Sequence, residues 1–123
     1  MAAATSRAQV LIVEDDPSMA DVLRLILQRS GIDSEIATSA GAALVSLEDD
    51  CLPESVILDV RLPDASGLLV LRRIRRDNLP IRVAVVSGIT DPRDSIDVRL
   101  LKPDAFFRKP IDNAALVRWV QGK

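Results

Sequence analysis

The sequence has no histidine and only one cysteine among its 123 residues. The absence of histidine excludes catalytic triads that use an imidazole base, and it excludes most zinc sites. The single cysteine, Cys51, cannot form an internal disulfide. A chain without a disulfide framework is typical of a reducing compartment, so we expect a cytoplasmic protein.

The sequence also has few aromatic residues and little net charge. Aromatic residues make up 2% of the chain, so the core must be built from valine, isoleucine, leucine and alanine. The 16 basic and 18 acidic residues give a net charge of −2, which does not favour direct contact with nucleic acid. The first nine residues, MAAATSRAQ, contain no long apolar run and predict neither a signal peptide nor a membrane anchor. We expect residues 1–8 to be a short lead-in and residues 9–123 to be one domain.

Predicted strands and helices alternate along the chain. The continuous apolar run at 10–13 is typical of a strand buried on both faces, and the largely apolar segments at 55–60 and 81–87 are predicted to be strands as well. Shorter strands are predicted at 32–38 and 104–110. Helices are predicted after the N-cap pair Asp16-Pro17, at 40–48 and 67–76, from Asp91-Pro92 to about Leu101, and after Asp112. This alternation predicts a parallel sheet with helices on both faces.

Charged and hydroxyl side chains follow four of the predicted strands. Glu14 and Asp15 follow the first strand, Asp59 ends the third, Ser87 ends the fourth and Lys109 lies at the end of the fifth. Since binding sites in such sheets form beyond the carboxyl ends of the strands, we expect these groups to gather at one edge. Convergence on one site would explain why Glu14 and Asp15 are adjacent, although neighbouring carboxylates repel one another.

This set of residues suits magnesium and phosphate chemistry. Asp15 and Asp59 can supply carboxylate ligands to Mg²⁺, a backbone carbonyl just past Asp59 can supply a third, and Glu14 can hold a metal-bound water. An aspartate carboxylate can also attack phosphorus to form an aspartyl phosphate. Lys109 would then neutralise charge on the transferring group while Ser87 donates a hydrogen bond.

Four stretches of the chain, in this order, resemble the motifs of the response regulator receiver domain of two-component signalling: VLIVEDD, VILDVRLPDASG, VVSG and FFRKPID. The resemblance extends from about Gln9 to the C-terminus, which is essentially the whole chain. It implies a flavodoxin-like, doubly wound α/β fold with a five-stranded parallel sheet in the order 2-1-3-4-5 and five helices.

The resemblance also implies a role for each site residue. Asp59 matches the phosphoacceptor, and Glu14 and Asp15 match the acidic pair that binds the metal with it. Ser87 matches the hydroxyl-bearing switch residue, Lys109 the active-site lysine, Phe106 the aromatic switch residue, and Arg61 the residue whose backbone carbonyl binds Mg²⁺. The Lys109-Pro110 peptide bond is implied to be cis.

A receiver domain implies a phosphorelay function. A sensor histidine kinase or a histidine phosphotransfer protein would donate a phosphoryl group to Asp59 in the presence of Mg²⁺, or of Mn²⁺ in its place. The only catalysis expected is the domain's own phosphoryl transfer and autodephosphorylation. A downstream protein would bind the face formed by the fourth helix, the fifth strand and the fifth helix, with no direct contact to nucleic acid or membrane. The domain would stand alone or belong to a longer DNA-binding regulator or hybrid kinase.

Two other classes of protein remain as alternatives. A haloacid-dehalogenase-like phosphatase uses similar groups, but it needs a second aspartate two positions after the nucleophile, where this chain has Arg61. A pseudo-receiver would lack one of the acids or the lysine, all of which are present here. The chain departs from the family at Lys102, where glycine is common, so the fourth helix is expected to end differently. Phe106 has no ring hydroxyl, so we expect its ring to prefer an inward, apolar position.

Overall fold

The computed structural model describes residues 8–88 and 99–123, which alternate between strand and helix. The elements are β1 (Val10–Val13), α1 (Pro17–Arg29), β2 (Ser34–Ala37), α2 (Ala40–Ser46), β3 (Ser55–Asp59), α3 (Leu68–Arg76), β4 (Arg82–Ser87), β5 (Ala105–Arg108) and α4 (Asn113–Val120). The strands form one sheet in the order β2-β1-β3-β4-β5, and every neighbouring pair is parallel. The predicted doubly wound fold and its strand order are therefore confirmed.

The central strands of the sheet are buried on both faces, because helices cover each face and successive side chains point to opposite sides. In β1, Leu11 and Val13 face the core layer that contains residues of α2 and α3. Val10 and Ile12 face the other layer, together with Leu23 and Leu27 of α1 and Leu116 of α4. All four residues of β1 are at most 1% exposed. This two-sided burial explains why the sequence of β1 is a continuous apolar run rather than an alternating one.

Side-chain caps fix the starts of three helices. The Asp16 carboxylate accepts a hydrogen bond from the Ser18 amide at 3.0 Å, and the following Pro17 opens α1. Ser39 caps α2, and the Asp112 carboxylate accepts from the Ala115 amide at 3.1 Å at the start of α4. The helix starts predicted at Asp16 and Asp112 are confirmed, since each cap satisfies an amide that has no partner inside its helix.

Part of the predicted fourth helix lies outside the described residues, including its predicted start at Asp91-Pro92, and so do residues 1–7 of the predicted lead-in. Residues 99–101 are helical, and Lys102 follows them in the left-handed conformation with φ of 51°. Glycine is favoured at this position because it adopts a positive φ without strain. The helix therefore ends in the conformation that glycine would adopt, although the residue is lysine.

Arg75 of α3 holds this helix end against the sheet. Its guanidinium donates to the Lys102 carbonyl at 2.8 Å and to the Asp104 carboxylate at 3.1 Å. Asp104 in turn accepts a hydrogen bond from the Val83 amide of β4 at 2.7 Å. The contacts with Arg75 offset part of the strain at Lys102 and fix the chain where it enters β5.

No helix among residues 8–88 and 99–123 has the length and apolar character needed to cross a lipid bilayer.

Replacing Lys102 by glycine should raise the free energy of unfolding by about 1 kcal/mol, because the left-handed backbone brings the Cβ of lysine too close to a carbonyl oxygen. Urea denaturation followed by the fluorescence of Trp119 measures the change. Asn78 provides a matched control, since it also has φ of 51° but asparagine tolerates this conformation. Asn78→Gly should therefore gain clearly less, and a loss of stability in Lys102→Gly would contradict the strained helix end.

Candidate functional site

The polar residues predicted to gather do lie at the carboxyl edge of the sheet. Glu14 follows β1, Asp59 ends β3, Ser87 ends β4 and Lys109 follows β5. The side chains of Glu14, Asp59 and Ser87 are almost fully shielded from solvent, with 4%, 8% and 4% of each residue exposed. Burying ionisable groups is costly unless they are paired, so the contacts among them decide what the site can bind.

Lys109 joins the acidic residues. Its Nζ lies 2.9 Å from Oδ2 of Asp59 and 3.4 Å from Oε1 of Glu14. One carboxylate oxygen from each of Glu14, Asp15 and Asp59 lies within 4.8 Å of those of the other two residues. Asp15 is exposed, whereas the other two acids are buried. Within the described part of the chain, this edge of the sheet thus holds three clustered carboxylates, two of which contact the Lys109 ammonium.

Burial and the close contacts among these groups shift the pKa values of Glu14 and Lys109. Burial raises the pKa of Glu14 to about 7, and the hydrogen bond with Asp59 and the charge of Asp59 add to the shift. The Asp16 amide, 3.3 Å from the Glu14 carboxylate, and the Lys109 ammonium act in the opposite direction. For Lys109, burial lowers the pKa, but the hydrogen bond and charge of Asp59 and the charge of Glu14 outweigh it, so its pKa is raised.

The donor set fits a hard divalent cation. Mg²⁺ prefers carboxylate and carbonyl oxygens together with water, and it is bound by few protein ligands. The three clustered carboxylates are all oxygen donors, and Asp15 is open to solvent, where water can complete the coordination. Asp16 is not part of this cluster, because its carboxylate caps α1 through the Ser18 and Met19 amides. Its role as a helix cap was predicted and is confirmed.

The loop after Asp59 folds back closely onto the site. The Arg61 amide donates to Oδ1 of Asp59 at 3.0 Å, and the Gly67 amide donates to the Val60 carbonyl at 2.7 Å. A Cβ atom placed on Gly67 would lie 1.9 Å from the carbonyl oxygen of Asp59. Only glycine therefore permits this close approach of the start of α3 to the end of β3.

The remaining predicted residues flank the site. The Ser87 carbonyl accepts a hydrogen bond from the Lys109 amide at 3.1 Å, which ties β4 to the lysine-bearing segment. The Lys109-Pro110 peptide bond is cis. Phe106 lies on β5 with 46% of the residue exposed, so its ring is not in the inward position that we expected.

Two long-range contacts, one near the site and one at the opposite end of the sheet, were not predicted from the sequence. Asp64, in the loop after Asp59, accepts hydrogen bonds from the amides of Ala40 and Gly41 at the start of α2, both at 2.9 Å. Arg75 reaches the segment that leads into β5. Neither contact leaves a local signal, since Asp64 in the sequence PDASG looks like an ordinary turn residue. Its partners lie more than twenty positions earlier in the chain.

Comparison with known proteins places these features in a family. Residues 10–121 match the family model of the response regulator receiver domain. The chain is 32% identical over 119 residues to the DNA-binding response regulator MtrA of Mycolicibacterium smegmatis, covering 97% of this chain and 51% of that protein. The chain thus spans about half the length of the curated relatives it matches.

Solved structures show the same architecture. A response regulator receiver protein from Pseudomonas putida is similar with a TM-score of 0.86 and 33% identity, covering 96% of this chain and 98% of that one. A CheY-like receiver domain protein from Methanospirillum hungatei JF-1 is similar with a TM-score of 0.86 and 26% identity, covering 95% of this chain and 93% of that one. These matches cover the sheet, its helices and the acidic edge together.

Replacing Glu14 by glutamine should change how stability depends on pH. Because the pKa of Glu14 is raised in the folded state from 4.5 to about 7, the folded state holds its proton more tightly. Without divalent cations, Glu14 should therefore lower the free energy of unfolding as pH rises from about 4.5 to about 7. The Glu14→Gln variant should lack this decline and be more stable than the wild type at pH 8, by on the order of 1 kcal/mol.

Urea denaturation at a series of pH values, in the presence of a chelator, measures this difference. Glu48 is an exposed glutamate, so Glu48→Gln is a control for the loss of one negative charge. If the free energy of unfolding of Glu14→Gln depended on pH in the same way as that of the wild type, the prediction of a raised pKa of Glu14 in the folded state would be wrong.

Proposed function

The chain belongs to the response regulator receiver domain family, and we propose that it accepts a phosphoryl group on Asp59 from the phosphohistidine of a partner protein. The observation that supports this best is the placement of Asp59. Its Oδ2 lies 2.9 Å from the Lys109 ammonium, and its carboxylate is clustered with those of Glu14 and Asp15. A buried aspartate placed between a cation and two further acids is suited to phosphoryl transfer. The end of a strand does not need such a cluster for structural reasons.

The proposed reaction moves one phosphoryl group between two side chains. A carboxylate oxygen of Asp59 attacks phosphorus, the bond between phosphorus and the donor's imidazole nitrogen breaks, and that nitrogen keeps the electron pair. Lys109 stabilises the negative charge on the phosphoryl oxygens, and the Ser87 hydroxyl donates a hydrogen bond to one of them. Glu14 and Asp15 would repel the incoming phosphate unless a cation balanced their charge.

We propose that Mg²⁺, or Mn²⁺ in its place, supplies that balance. Asp15 and Asp59 would be carboxylate ligands, the Arg61 backbone carbonyl a further ligand, and Glu14 would hold a metal-bound water. When bound, the metal supplies positive charge next to the phosphoryl oxygens and lowers the barrier to transfer. The all-oxygen donor set and the excess of acids over bases at this edge support the assignment.

The family is a signalling domain rather than an enzyme that turns over external substrates. We propose that the only catalysis is the domain's own phosphoryl transfer and the later hydrolysis of the aspartyl phosphate by water. The phosphoryl donor would be a sensor histidine kinase or a histidine phosphotransfer protein. The phosphatase alternative lacks support, because the chain belongs to the receiver family and Arg61 occupies the place of the required second acid.

The surface proposed to change on phosphorylation includes β5 and α4, which is the fifth helix predicted from the sequence. A phosphoryl group on Asp59 would draw the Ser87 hydroxyl toward it, and Phe106 on the neighbouring strand is the bulky group able to fill the space left behind. Phe106 and Leu100 are exposed, at 46% and 73%, and β5 is an edge strand of the sheet. An inward move of Phe106 would alter this face, which we propose as the binding surface for a downstream protein. Residues 89–98, which include most of the predicted fourth helix, lie outside the described part of the chain.

The setting of the domain is also a proposal. The relative from Mycolicibacterium smegmatis is a DNA-binding response regulator about twice as long as this chain, which fits a receiver that belongs to a longer regulator. The chain would fit a stand-alone receiver or a hybrid kinase as well. For the domain itself we propose a cytoplasmic location and no direct contact with nucleic acid or membrane, in keeping with its net charge of −2.

Incubation with acetyl phosphate and Mg²⁺ should add one phosphoryl group to the wild-type chain, and Asp59→Asn should abolish this addition. An amide cannot act as the nucleophile, while its size and shape preserve the fold. Intact mass spectrometry measures the modification, and circular dichroism checks that the variant is folded. Asp16→Asn is the matched control, because it removes a neighbouring carboxylate that lies outside the cluster. Phosphorylation of Asp59→Asn, or modification at another carboxylate, would contradict the assignment.

Removal of the Asp15 carboxylate should affect Mg²⁺ binding, whereas removal of the Asp16 carboxylate should affect stability. Asp15→Ala removes a proposed metal ligand and should weaken Mg²⁺ binding by roughly tenfold or more. Asp16→Ala removes the cap of α1 and should cost about 1 kcal/mol of stability with little change in Mg²⁺ affinity. Titration of Mg²⁺ by amide NMR, paired with urea denaturation, separates the two effects. Equal loss of Mg²⁺ affinity in both variants would refute the proposed ligand set.

A further inference from the structure

The loop between β3 and α3 is closed at its base by contacts within itself. The Gly67 amide bonds to the Val60 carbonyl at 2.7 Å, and Arg61 and Ser66 form an isolated antiparallel bridge. Residues 62–65 form the tip of the loop beyond this bridge. Leu62 and Ala65 of the tip are partly buried against the core, so this packing holds the tip together with its polar contacts outside the loop.

Asp64 attaches the tip to α2. Its two carboxylate oxygens accept hydrogen bonds from the Ala40 and Gly41 amides, each at 2.9 Å. These amides lie in the first turn of the helix, where they have no partner inside it. The Ser39 hydroxyl accepts the Ala42 amide at 3.0 Å, so the helix start has a cap of its own besides Asp64. The amides of Gly41 and Ala40 lower the pKa of Asp64, which is consistent with a charged carboxylate in these bonds.

The helix that receives Asp64 is firmly anchored. Ala40 and Ala43 of α2 and the adjoining Leu47 are at most 5% exposed. They belong to the same core layer as Leu58 of β3 and Leu68 of α3, the residues on either side of the loop. Because this layer is close-packed, α2 is a rigid support, and a bond to it limits how far the loop tip can shift.

We propose that Asp64 is a positioning residue of the phosphoacceptor site, which holds the loop against α2 so that Arg61 stays in place beside Asp59. The Arg61 amide already contacts the Asp59 carboxylate at 3.0 Å, so the backbone of this residue is tied to the site. If the tip were released, the Arg61 backbone would sample other positions, and the preorganised ligand set would be loosened. The inference rests on the proposed function, because it assumes that the Arg61 carbonyl binds the metal.

Mg²⁺ affinity, measured by amide NMR titration of the full chain, tests this role apart from phosphorylation. Asp64→Ala should raise the Mg²⁺ dissociation constant by roughly tenfold, as expected for loss of a residue that supports metal ligands. Asp64→Asn keeps one acceptor oxygen, so its dissociation constant should lie between those of Asp64→Ala and the wild type. Ser39→Ala is the matched control: it removes the other cap of the same helix but leaves the loop attached. It should lower the urea midpoint while its Mg²⁺ dissociation constant stays within about twofold of the wild type.

The outcomes separate a positioning role from a structural one. An unchanged dissociation constant in Asp64→Ala, or an equal rise in Ser39→Ala, would overturn the inference, because the effect would then be absent or due to helix stability alone. If Asp64→Ala does not fold, Asp64→Asn decides the question in its place. If the wild-type chain bound no Mg²⁺, the proposed function would fail and this inference with it, whereas wild-type binding with no effect at Asp64 would refute only the inference.

Discussion

Burial of the parallel sheet on both faces is the constraint on which the rest of the structure depends. Residues such as Ile12, Leu58 and Val85 are fully buried, so the middle of the central strands leaves no room for charged groups. Polar chemistry can only lie at the ends of the strands, where the chain turns toward a helix. Parallel pairing brings the carboxyl ends of all five strands to one edge, and the acidic residues and Lys109 meet there as a consequence.

The cost of that arrangement is a local excess of negative charge. Lys109 contacts both Glu14 and Asp59, but burial, together with the hydrogen bond and charge of Asp59, still raises the pKa of Glu14 to about 7. A divalent cation held by these carboxylates, as we propose, would balance their charge and offset the cost of burying them together.

Carboxylates serve a second purpose away from the site, since they bind free amides at helix starts. Asp16 and Asp112 cap their own helices, whereas Asp64 caps a helix that lies far earlier in the chain. Arg75 does the reverse at a helix end, where it binds carbonyls of the segment before β5. The Asp64 contact joins the loop after Asp59 to α2, and the Arg75 contact joins the segment before β5 to α3. The edge that carries the acidic residues is thus braced by α2, whereas α3 braces the opposite edge of the sheet.

The strand order was implied only by the resemblance to receiver domains. The sequence by itself determined the strands, the helix starts at Asp16 and Asp112, and the grouping of the acids with Lys109. These features depend on local patterns: apolar runs, N-cap residues, and motifs placed where strands end. Tertiary structure alone decided the outward position of Phe106, the left-handed Lys102 and the contact of Asp64 with α2. Each of these depends on a partner distant in the chain or on a balance between alternative packings. A local pattern carries no record of such a partner, because only the folded chain brings it within bonding distance.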